Sequence, residues 1–322
     1  LECWIVPDTP FVSPEFDGSE GAWMDLDALL ETAERKYRHH TWFAETFPFF
    51  YPNLGPDQLA TIYGARLEFG RDTSWSVPIL SELSDIHELP EPDFERPMWA
   101  WLEHAIRKSI ERGRGKWLTG YPDLHMNADL VAALREPQEL CLDCADDPDL
   151  VKLAIEKVTP ASLEAYDRSV GPILDAGLPT LTWLAAPHMG RMHVPSCDFS
   201  AMISPKLFEE CVLPSIVQEI RATDRSIYHL DGPDALRHLD AILAIPELNA
   251  VQWVYGAGKG PASRWIEVYR RIQASGKAIM VCCESAEDAL SVAKEVRKEG
   301  AWYQVPGMKL EDAHRLLKEL SK

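Results

Sequence analysis

The chain repeats one pattern of hydrophobic and polar positions. Short apolar stretches end in polar residues, glycine or proline, and each is followed by a stretch whose apolar residues recur at helical spacing. This order is typical of parallel βα units, because the strand is buried and the helix that covers it is amphipathic. The pattern predicts eight strands, at residues 3–6, 65–69, 116–120, 180–185, 226–230, 250–254, 278–283 and 302–305.

Helical patterns lie between the predicted strands. Leu26, Leu30 and Tyr37 fall on one helical face, and Ser204 followed by Pro205 is typical of a helix N-cap and first turn. Eight strands alternating with helices predict an α/β fold of the TIM (β/α)8 barrel type. We expect a single domain over residues 1–322, with loop and helix excursions over residues 7–115, where the pattern is irregular.

Composition narrows the function classes. The chain has 322 residues, 46% of them apolar, and is therefore long enough to bury a large core. Its formal net charge of -19 argues against nucleic acid, which needs a basic face, and favours a neutral or cationic small substrate. No apolar stretch approaches the roughly 18 residues of a membrane span, and the start lacks the layout of a secretory signal. Seven irregularly spaced cysteines do not indicate a disulfide framework, so a cytoplasmic protein with no membrane partner is expected.

The ends of the predicted strands carry the candidate chemistry. In a TIM barrel the loops after the strands gather around one cavity, so polar residues at those ends point to the site. Residues 227–233 read IYHLDGP, an apolar strand that ends in His229 and Asp231. Side chains two positions apart on a strand point the same way, so His229 and Asp231 can face one bound atom. They are candidates for metal ligands or for an acid/base pair.

Other strand ends add candidates for the same cavity. Asp123 and His125 follow the third predicted strand and are further candidates for catalysis. Candidates for substrate contact are Trp183, His188, Arg191, Asp198, Gln252, Trp253 and Tyr255. In an acidic chain the aromatic members could form a cage for a methylated ammonium group, or they could stack on an aromatic methyl ether. The alternative is that large rings near a barrel rim simply fill space.

Four stretches of the chain also resemble a known superfamily in order and spacing. They are GYPDLHMNADLVAALREPQELCLDCADDPDLV (120–151), CDFSAMISPKLFEECVLPSI (197–216), YHLDGPDALRHLDAIL (228–243) and LNAVQWVYGAGKG (248–260). Together they resemble the uroporphyrinogen decarboxylase-like superfamily over nearly the whole chain from about residue 123 onward. The residues in these stretches are similar to those of one branch of the superfamily, whose members are described as trimethylamine corrinoid or methyltransferase proteins. The resemblance implies a TIM barrel with one of two chemistries, porphyrinogen decarboxylation or methyl transfer to or from a corrinoid protein.

The residues present favour one of these chemistries. The decarboxylases resemble one another in an arginine-rich signature after the first strand, which grips the substrate's carboxylates, whereas residues 6–11 here read VPDTPF. The methyltransferases resemble one another in a zinc-holding His-x-Cys pair after strand five, an acidic neighbour, and a Cys after strand eight. The corresponding positions here read His229-Leu230-Asp231 and Pro306-Gly307-Met308. The histidine matches the methyltransferase pattern, and both thiolates are absent.

The resemblance therefore implies a zinc site with altered ligands. Aspartate and methionine form a harder and weaker donor set than thiolates. Zinc would bind through His229, Asp231 and either Cys282 or Glu284. Without a metal, His229 and Asp231 would act with Asp123 or His125 as a general acid/base pair or as hydrogen-bonding clamps.

The sequence thus predicts a methyltransferase that moves a methyl group between a small methylated amine or methyl ether and a corrinoid protein. Asp123, His125, Arg191 and Asp198 would orient the donor. The corrinoid would arrive on a partner, because nothing here resembles the cobalt-ligating Asp-x-His-x-x-Gly motif. Two alternatives stay open: a decarboxylating lyase that uses Arg191 and Lys259 as a cationic clamp, and a small-molecule or corrinoid-partner binding protein without turnover. Dimers are common in the superfamily, which implies a homodimer.

Overall fold

The computed structural model describes residues 1–7, 10–14 and 16–321. The strands are β1 (Glu2–Ile5), β2 (Phe49–Phe50), β3 (Arg66–Phe69), β4 (Ser74–Val77), β5 (Leu118–Thr119), β6 (Met192–His193), β7 (Arg225–Asp231), β8 (Ala250–Val254), β9 (Ala278–Cys282) and β10 (Ala301–Met308). The α-helices are α1 (Glu20–Met24), α2 (Leu26–His39), α3 (Pro97–Gly113), α4 (Asn127–Arg135), α5 (Pro137–Asp146), α6 (Pro148–Asp175), α7 (Pro205–Leu207), α8 (Leu213–Arg221), α9 (Leu239–Leu243), α10 (Ile266–Ala274), α11 (Ala286–Ala293) and α12 (Leu310–Leu320). Short 3-10 helices span Pro56–Tyr63, Leu83–Glu88, Asp198–Met202, Pro233–His238 and Ala262–Trp265, and a π-helical turn at Phe208–Val212 joins α7 to α8.

Six parallel strands form the main sheet, in the order β1, β10, β9, β8, β7, β6. Each pairing within it is parallel, and parallel neighbours need a crossover connection, which α9, α10 and α11 supply between β7 and β10. The helix α12 follows β10 and packs beside β1, where Ala313 contacts the buried Cys3 and Ile5. The architecture is therefore α/β with a parallel sheet and helical crossovers.

The two faces of this sheet have different surroundings. On β7, Tyr228 and Leu230 are buried in the core that the sheet shares with the helices. Since side chains alternate along a strand, His229 and Asp231 lie on the opposite face. Gln252 of β8 lies on that same face, because it is hydrogen bonded to His229. The face away from the helices thus carries polar residues.

One predicted barrel strand has a different place in the fold. Residues 65–69 do contain a strand, β3, but it pairs antiparallel with β4 in a separate hairpin. The Gly70 N–H donates to the Thr73 carbonyl at 2.8 Å and closes the turn between them. Both strands alternate between buried and exposed residues, which is typical of a hairpin with one solvated face. The prediction of a barrel strand here is wrong, because a local partner satisfies its backbone.

Two further predicted strands are reduced. At residues 180–185 only Thr180 is bridged, to His188, and the two residues exchange backbone hydrogen bonds at 2.9 and 3.0 Å. This short loop returns on itself instead of joining a ladder. Residues 116–120 shorten to β5, which pairs with the unpredicted strand β2. In the described part of the chain the parallel sheet has six strands, namely five of the predicted eight and the unpredicted β6, and the β2–β5 pair is separate from it.

The N-terminal third contains helices and the β3–β4 hairpin. Leu26 and Leu30 of α2 pack with Ala105 of α3 and with Trp117, in a small cluster of their own.

None of the described helices combines the length and the apolar composition that a membrane span requires.

Candidate functional site

Three side chains from two segments converge beyond the carboxyl ends of the strands. His229 and Asp231 lie at the end of β7, and Asp198 begins the 3-10 helix that follows β6. One imidazole nitrogen and one oxygen from each carboxylate lie within 4.8 Å of one another. His229 is partly buried, whereas the two aspartates are exposed. We call Asp198, His229 and Asp231 the central cluster. Its one nitrogen and two oxygen donors suit a divalent cation with an open coordination position.

His125 connects the central cluster to further acids. Its Nε2 lies 3.4 Å from Asp123 Oδ2, and its Nδ1 lies 3.5 Å from Asp129 Oδ2 and 3.9 Å from Asp198 Oδ2. Burial alone would lower the pKa of His125, but the hydrogen bonds to Asp123 and Asp129 outweigh it and raise that pKa well above its usual value. The structure therefore brings together five residues that the sequence analysis singled out, namely Asp123, His125, Asp198, His229 and Asp231.

Asp129 is a site residue that the sequence analysis missed. Its Oδ2 accepts the backbone N–H of Asp198 at 3.0 Å, and its Oδ1 accepts the N–H of Phe199 at 2.8 Å. Asp129 thereby positions the first turn of the helix that presents Asp198. The spacing His125-x-x-x-Asp129 at the start of a predicted helix is the signal that could have revealed it.

The carboxyl group of Asp198 has a pKa raised to about 6. Desolvation is the largest cause, and the carboxylate of Asp129 is the next, while His125 and His229 act in the opposite direction. Because 54% of the Asp198 side chain is exposed, solvent screens part of this effect. Negative charge gathered at one place favours a bound cation, which would relieve the repulsion between the carboxylates.

Asn127 joins the two loops that carry these acids. It is buried, has a positive φ of 49°, and its Nδ2 donates to the Ser196 carbonyl and to Glu219 Oε1, both at 2.9 Å. Glu219 is itself buried and lies 3.4 Å from the Nε2 of His193. One amide thus ties the loop after β5 to the loop after β6.

Behind His229, a chain of hydrogen bonds crosses the face of the sheet. His229 Nδ1 lies 2.7 Å from Gln252 Oε1, Gln252 Nε2 donates to Gln304 Oε1 at 3.0 Å, and Gln304 Nε2 donates to Glu2 Oε2 at 3.1 Å. The sequence analysis named Gln252 but missed Glu2 and Gln304. Each is a polar residue within an apolar strand, and that contrast is the signal that could have identified both.

Trp183 lies directly against the central cluster. Its ring meets the His229 ring edge to face, with centroids 5.0 Å apart and an angle of 87° between the planes. The partly buried Trp183 packs on Leu184, Met192 and Val194, which form a small apolar cluster on this side of the sheet. Of the predicted aromatic contacts, Trp183 is therefore the one that the fold brings to His229.

Trp253 and Tyr255 are not brought to the cluster. They alternate with Gln252 along β8 and therefore face the helical layer. Trp253 is fully buried, with its ring 5.3 Å from that of Trp265. Tyr255 is buried and donates its hydroxyl to the Cys282 carbonyl at 3.0 Å. Their predicted contact with the substrate does not agree with these positions.

His188 and Arg191 lie at the opposite end of the sheet. Arg191 precedes β6, its guanidinium pairs with Asp167, and its backbone N–H donates at 2.9 Å to Asp224, which immediately precedes β7. His188 lies beside Gly190, close to the same Asp224. Because the central cluster lies at the other end of β7, the predicted role of these two residues in orienting the donor does not agree with their positions.

Cys282 and Glu284, the predicted alternatives for a third zinc ligand, take different positions. The Sγ of Cys282 lies 3.3 Å from Gln304 Oε1, and burial raises the pKa of this thiol to about 12. The carboxylate of Glu284 lies against Gly260 and lines a recess of about 630 Å³ between α11 and α12. Neither joins the 4.8 Å group within the part of the chain that the structure describes.

A cleft of about 550 Å³ opens beside the central cluster, and Asp198 belongs to both. Half-exposed Trp75 and Met202 form part of its apolar wall. No lysine or arginine lines it among the described residues. Its lining residues are Pro56, Asp57, Trp75, Ser76, Pro78, His125, Asp129, Ala132, Ala133, Glu136, Pro137, Asp198, Phe199 and Met202. The cleft combines four carboxylates with an exposed aromatic ring.

Comparisons with known proteins bear on the fold. No family model matches the chain, and no curated protein matches it. Among solved structures, a methyltransferase from Methanosarcina mazei is similar with a TM-score of 0.61 and 13% sequence identity, over 95% of this chain and 88% of that chain. At this identity the similarity shows a shared fold, and function has to be argued from the site.

Proposed function

We propose that this chain is an enzyme that takes a methyl group from a small methylated amine and passes it to a corrinoid carried by a partner protein. The observation that carries the proposal is the central cluster beside a cleft lined by four carboxylates, which His125 offsets only in part. The methyltransferase that shares the fold supports the reaction class. The remaining negative charge favours an amine over a methyl ether, because an ether would offset none of it.

The cleft accounts for recognition of the substrate. A methylated amine is a cation in neutral water, and Asp57, Asp129 and Glu136 attract it electrostatically. The exposed ring of Trp75 offers a face on which methylated ammonium groups are bound. Phe199 and Met202 supply apolar contact for the methyl groups.

The central cluster would hold a divalent cation such as zinc. Its imidazole and two carboxylates fit such an ion, although they form a harder donor set than the thiolates at the corresponding positions of the methyltransferases that the sequence resembles. A cation held there would supply a Lewis acid for the amine nitrogen once its proton is lost, which would stabilise the electron pair that the departing amine keeps. Asp129 and His125 hold Asp198 in place for this purpose, and the displaced proton passes to a cleft carboxylate or to solvent.

The proposal includes a closed TIM-type barrel formed by a single domain over residues 1–322. Its support lies in hydrogen bonds outside the six-stranded sheet. Gly120 N–H donates to the Phe50 carbonyl at 2.8 Å, and Tyr121 N–H donates to the Leu181 carbonyl at 2.9 Å. These contacts connect β2, β5 and the segment near residue 181 in the order a barrel requires. A homodimer and a corrinoid protein remain the expected partners.

A decarboxylase is less well supported by the same geometry. Such an enzyme needs a cationic clamp for the carboxylate of its substrate, and the candidate clamp is Arg191 with Lys259. The guanidinium of Arg191 is instead paired with Asp167 at the far end of the sheet. The cleft repels a carboxylate, because its described lining holds four acids.

The test measures whether zinc-loaded protein forms methylcobalamin from chemically reduced cobalamin. Absorbance spectroscopy monitors the reaction. Trimethylamine and dimethylamine are the donors, and methoxybenzene is the neutral comparison. We expect the amines to support the reaction and Asp231→Asn to slow it by at least about 10-fold. Asp240→Asn is the matched control, since Asp240 is exposed and pairs with Arg271 on the surface. Absence of methylated product with every amine, or equal rates for the two variants, would overturn the proposal.

A further inference from the structure

The hydrogen-bond chain behind His229 begins at a buried acid, Glu2. Glu2 lies on β1, Gln304 on β10 and Gln252 on β8, so three strands of the main sheet contribute. Glu2 and Gln252 are 7% and 3% exposed. The Nε1 of Trp302 donates a second hydrogen bond to Glu2 Oε2, at 3.2 Å. The chain is therefore shielded from water over most of its length.

The order of donors and acceptors in this chain follows from its first member. Burial raises the pKa of Glu2, and the hydrogen bonds that Gln304 and Trp302 donate to it act in the opposite direction by stabilising the carboxylate. A carboxylate only accepts hydrogen bonds, so Gln304 presents its NH₂ group to Glu2. The carbonyl oxygen of Gln304 then faces Gln252, which must donate its own NH₂ group. That leaves the carbonyl oxygen of Gln252 facing His229 Nδ1 at 2.7 Å, and this nitrogen has to carry a proton to complete the chain.

We propose that Glu2, Gln304 and Gln252 form a directional relay that holds His229 in the Nδ1–H tautomer and thereby keeps Nε2 unprotonated as the ligand atom of the central cluster. This inference rests on the proposed function, because Nε2 serves the cation of that site. The residues of the relay are positioning residues. A glutamine side chain is not ionised at neutral pH, so the relay passes on orientation and no charge. Metal-binding histidines generally donate their second ring nitrogen to such a partner, which fixes the tautomer.

Cys282 lies beside the relay and contacts two of its members. Its Sγ lies 3.7 Å from Gln252 Nε2 and 3.3 Å from Gln304 Oε1. Edge-on contact with Trp183 holds the His229 ring from another direction. The His229 ring, held by Gln252 and Trp183, has little freedom to rotate and exchange its two nitrogens.

The tautomer can be read directly by nuclear magnetic resonance of metal-free protein labelled with ¹⁵N-histidine, with His229→Gln used to assign the signals. We expect the neutral ring of His229 in wild type to carry its proton on Nδ1 and to leave Nε2 free. Glu2→Gln removes the charge that orients the relay, so the second tautomer should appear and zinc affinity should fall by about 10-fold. Glu2→Asp keeps a carboxylate and should restore the wild-type tautomer at least in part.

Trp302→Phe is the matched control, because it removes the other donor to Glu2 and leaves Gln304 in place. It should leave the tautomer unchanged. A protonated Nε2 in wild type, or an unchanged tautomer in Glu2→Gln, would overturn the relay, whatever the protein does with amines. Conversely, the expected tautomers in a protein that binds no zinc would support the relay and contradict the proposed function.

Discussion

The carboxylate of Asp129 accepts a hydrogen bond from the backbone N–H of Asp198 at 3.0 Å, although the two residues lie 69 positions apart in the chain. Its second oxygen accepts a hydrogen bond from the backbone N–H of Phe199 at 2.8 Å. A buried acid on α4 therefore sets the position of an exposed acid in the central cluster. Such support is needed because Asp198 lies on a loop, where a side chain without it would adopt many orientations.

Replacing Asp129 by Asn should weaken cation binding as well as folding. One of the two N–H groups loses its acceptor, so Asp198 is held less well, and we expect zinc affinity to fall by about 10-fold in calorimetric titration. The matched control is Asp288→Asn, because Asp288 accepts the N–H groups of Ala262 and Ser263 in the same way, both at 2.9 Å, away from the site. Both variants should lose about 1–2 kcal/mol of unfolding free energy. Equal zinc affinities in the two variants would contradict the role of Asp129.

Substitution at Asn127 separates hydrogen bonding from backbone conformation. Both Asn127→Ala and Asn127→Gly lose the hydrogen bonds to Ser196 and Glu219, and each should be destabilised. Alanine is additionally disfavoured at a φ of 49°, so we expect it to be about 1 kcal/mol less stable than glycine in urea unfolding. Equal stabilities would mean that the backbone relaxes out of the left-handed region.

Binding of a methylated ammonium should depend on Trp75. Its ring is 48% exposed in the cleft, so removal should change folding little but should weaken binding of tetramethylammonium by about 5-fold or more, equivalent to about 1 kcal/mol. Trp75→Phe keeps a weaker aromatic face and should fall between wild type and Trp75→Ala. Tert-butanol is a neutral probe of similar shape, and its binding should be less affected. Calorimetric titration checks both, and equal losses for the two probes would argue against recognition of charge.

Mild acidification should remove the stability that His238 contributes. Burial lowers the pKa of His238 below its usual 6.5, its Nε2 hydrogen bonds to the Ser200 carbonyl at 2.8 Å, and its ring stacks on Phe208. The unfolded chain therefore takes up the proton at higher pH than the folded chain. The contribution of His238 is fully present above about pH 6.5 and is lost as the pH falls through the folded value.

In His238→Gln, the unfolding free energy at about pH 5.5 minus that at about pH 7.5 should be more positive than in wild type, as measured by urea titrations. The two proteins are compared by this difference between the two pH values, because the substitution also changes stability at neutral pH. Identical pH dependence in both would mean that the folded state accepts a protonated His238.

The periodicity of the sequence sufficed for the parallel strands near residues 3, 226, 250, 278 and 302, and for the helices between them. These strands are buried on one face by helices that follow them closely, so local patterning and the fold agree. His229 and Asp231 were found in the same way, since two residues at the end of one strand share a face whatever else surrounds them.

Contacts between distant segments decided the rest. A strand near residue 67 could pair with the main sheet or with the next strand along the chain. It pairs with β4, and this local hairpin satisfies its backbone hydrogen bonds. Trp253 differs from Gln252 by one position, yet that position turns it away from the site and into the helical layer.

The sequence by itself determined that the chain alternates strands and helices, that it is strongly acidic, and that β7 ends in a histidine and an aspartate. Only the tertiary structure decided that Asp129 supports Asp198, that Glu2 lies behind His229, and that Arg191 lies at the far end of the sheet. The physical reason is that periodicity indicates on which face of a helix or strand a side chain lies, whereas a site forms where such faces from distant segments come into contact. Those contacts depend on loop paths and strand register, which local residue patterns do not specify.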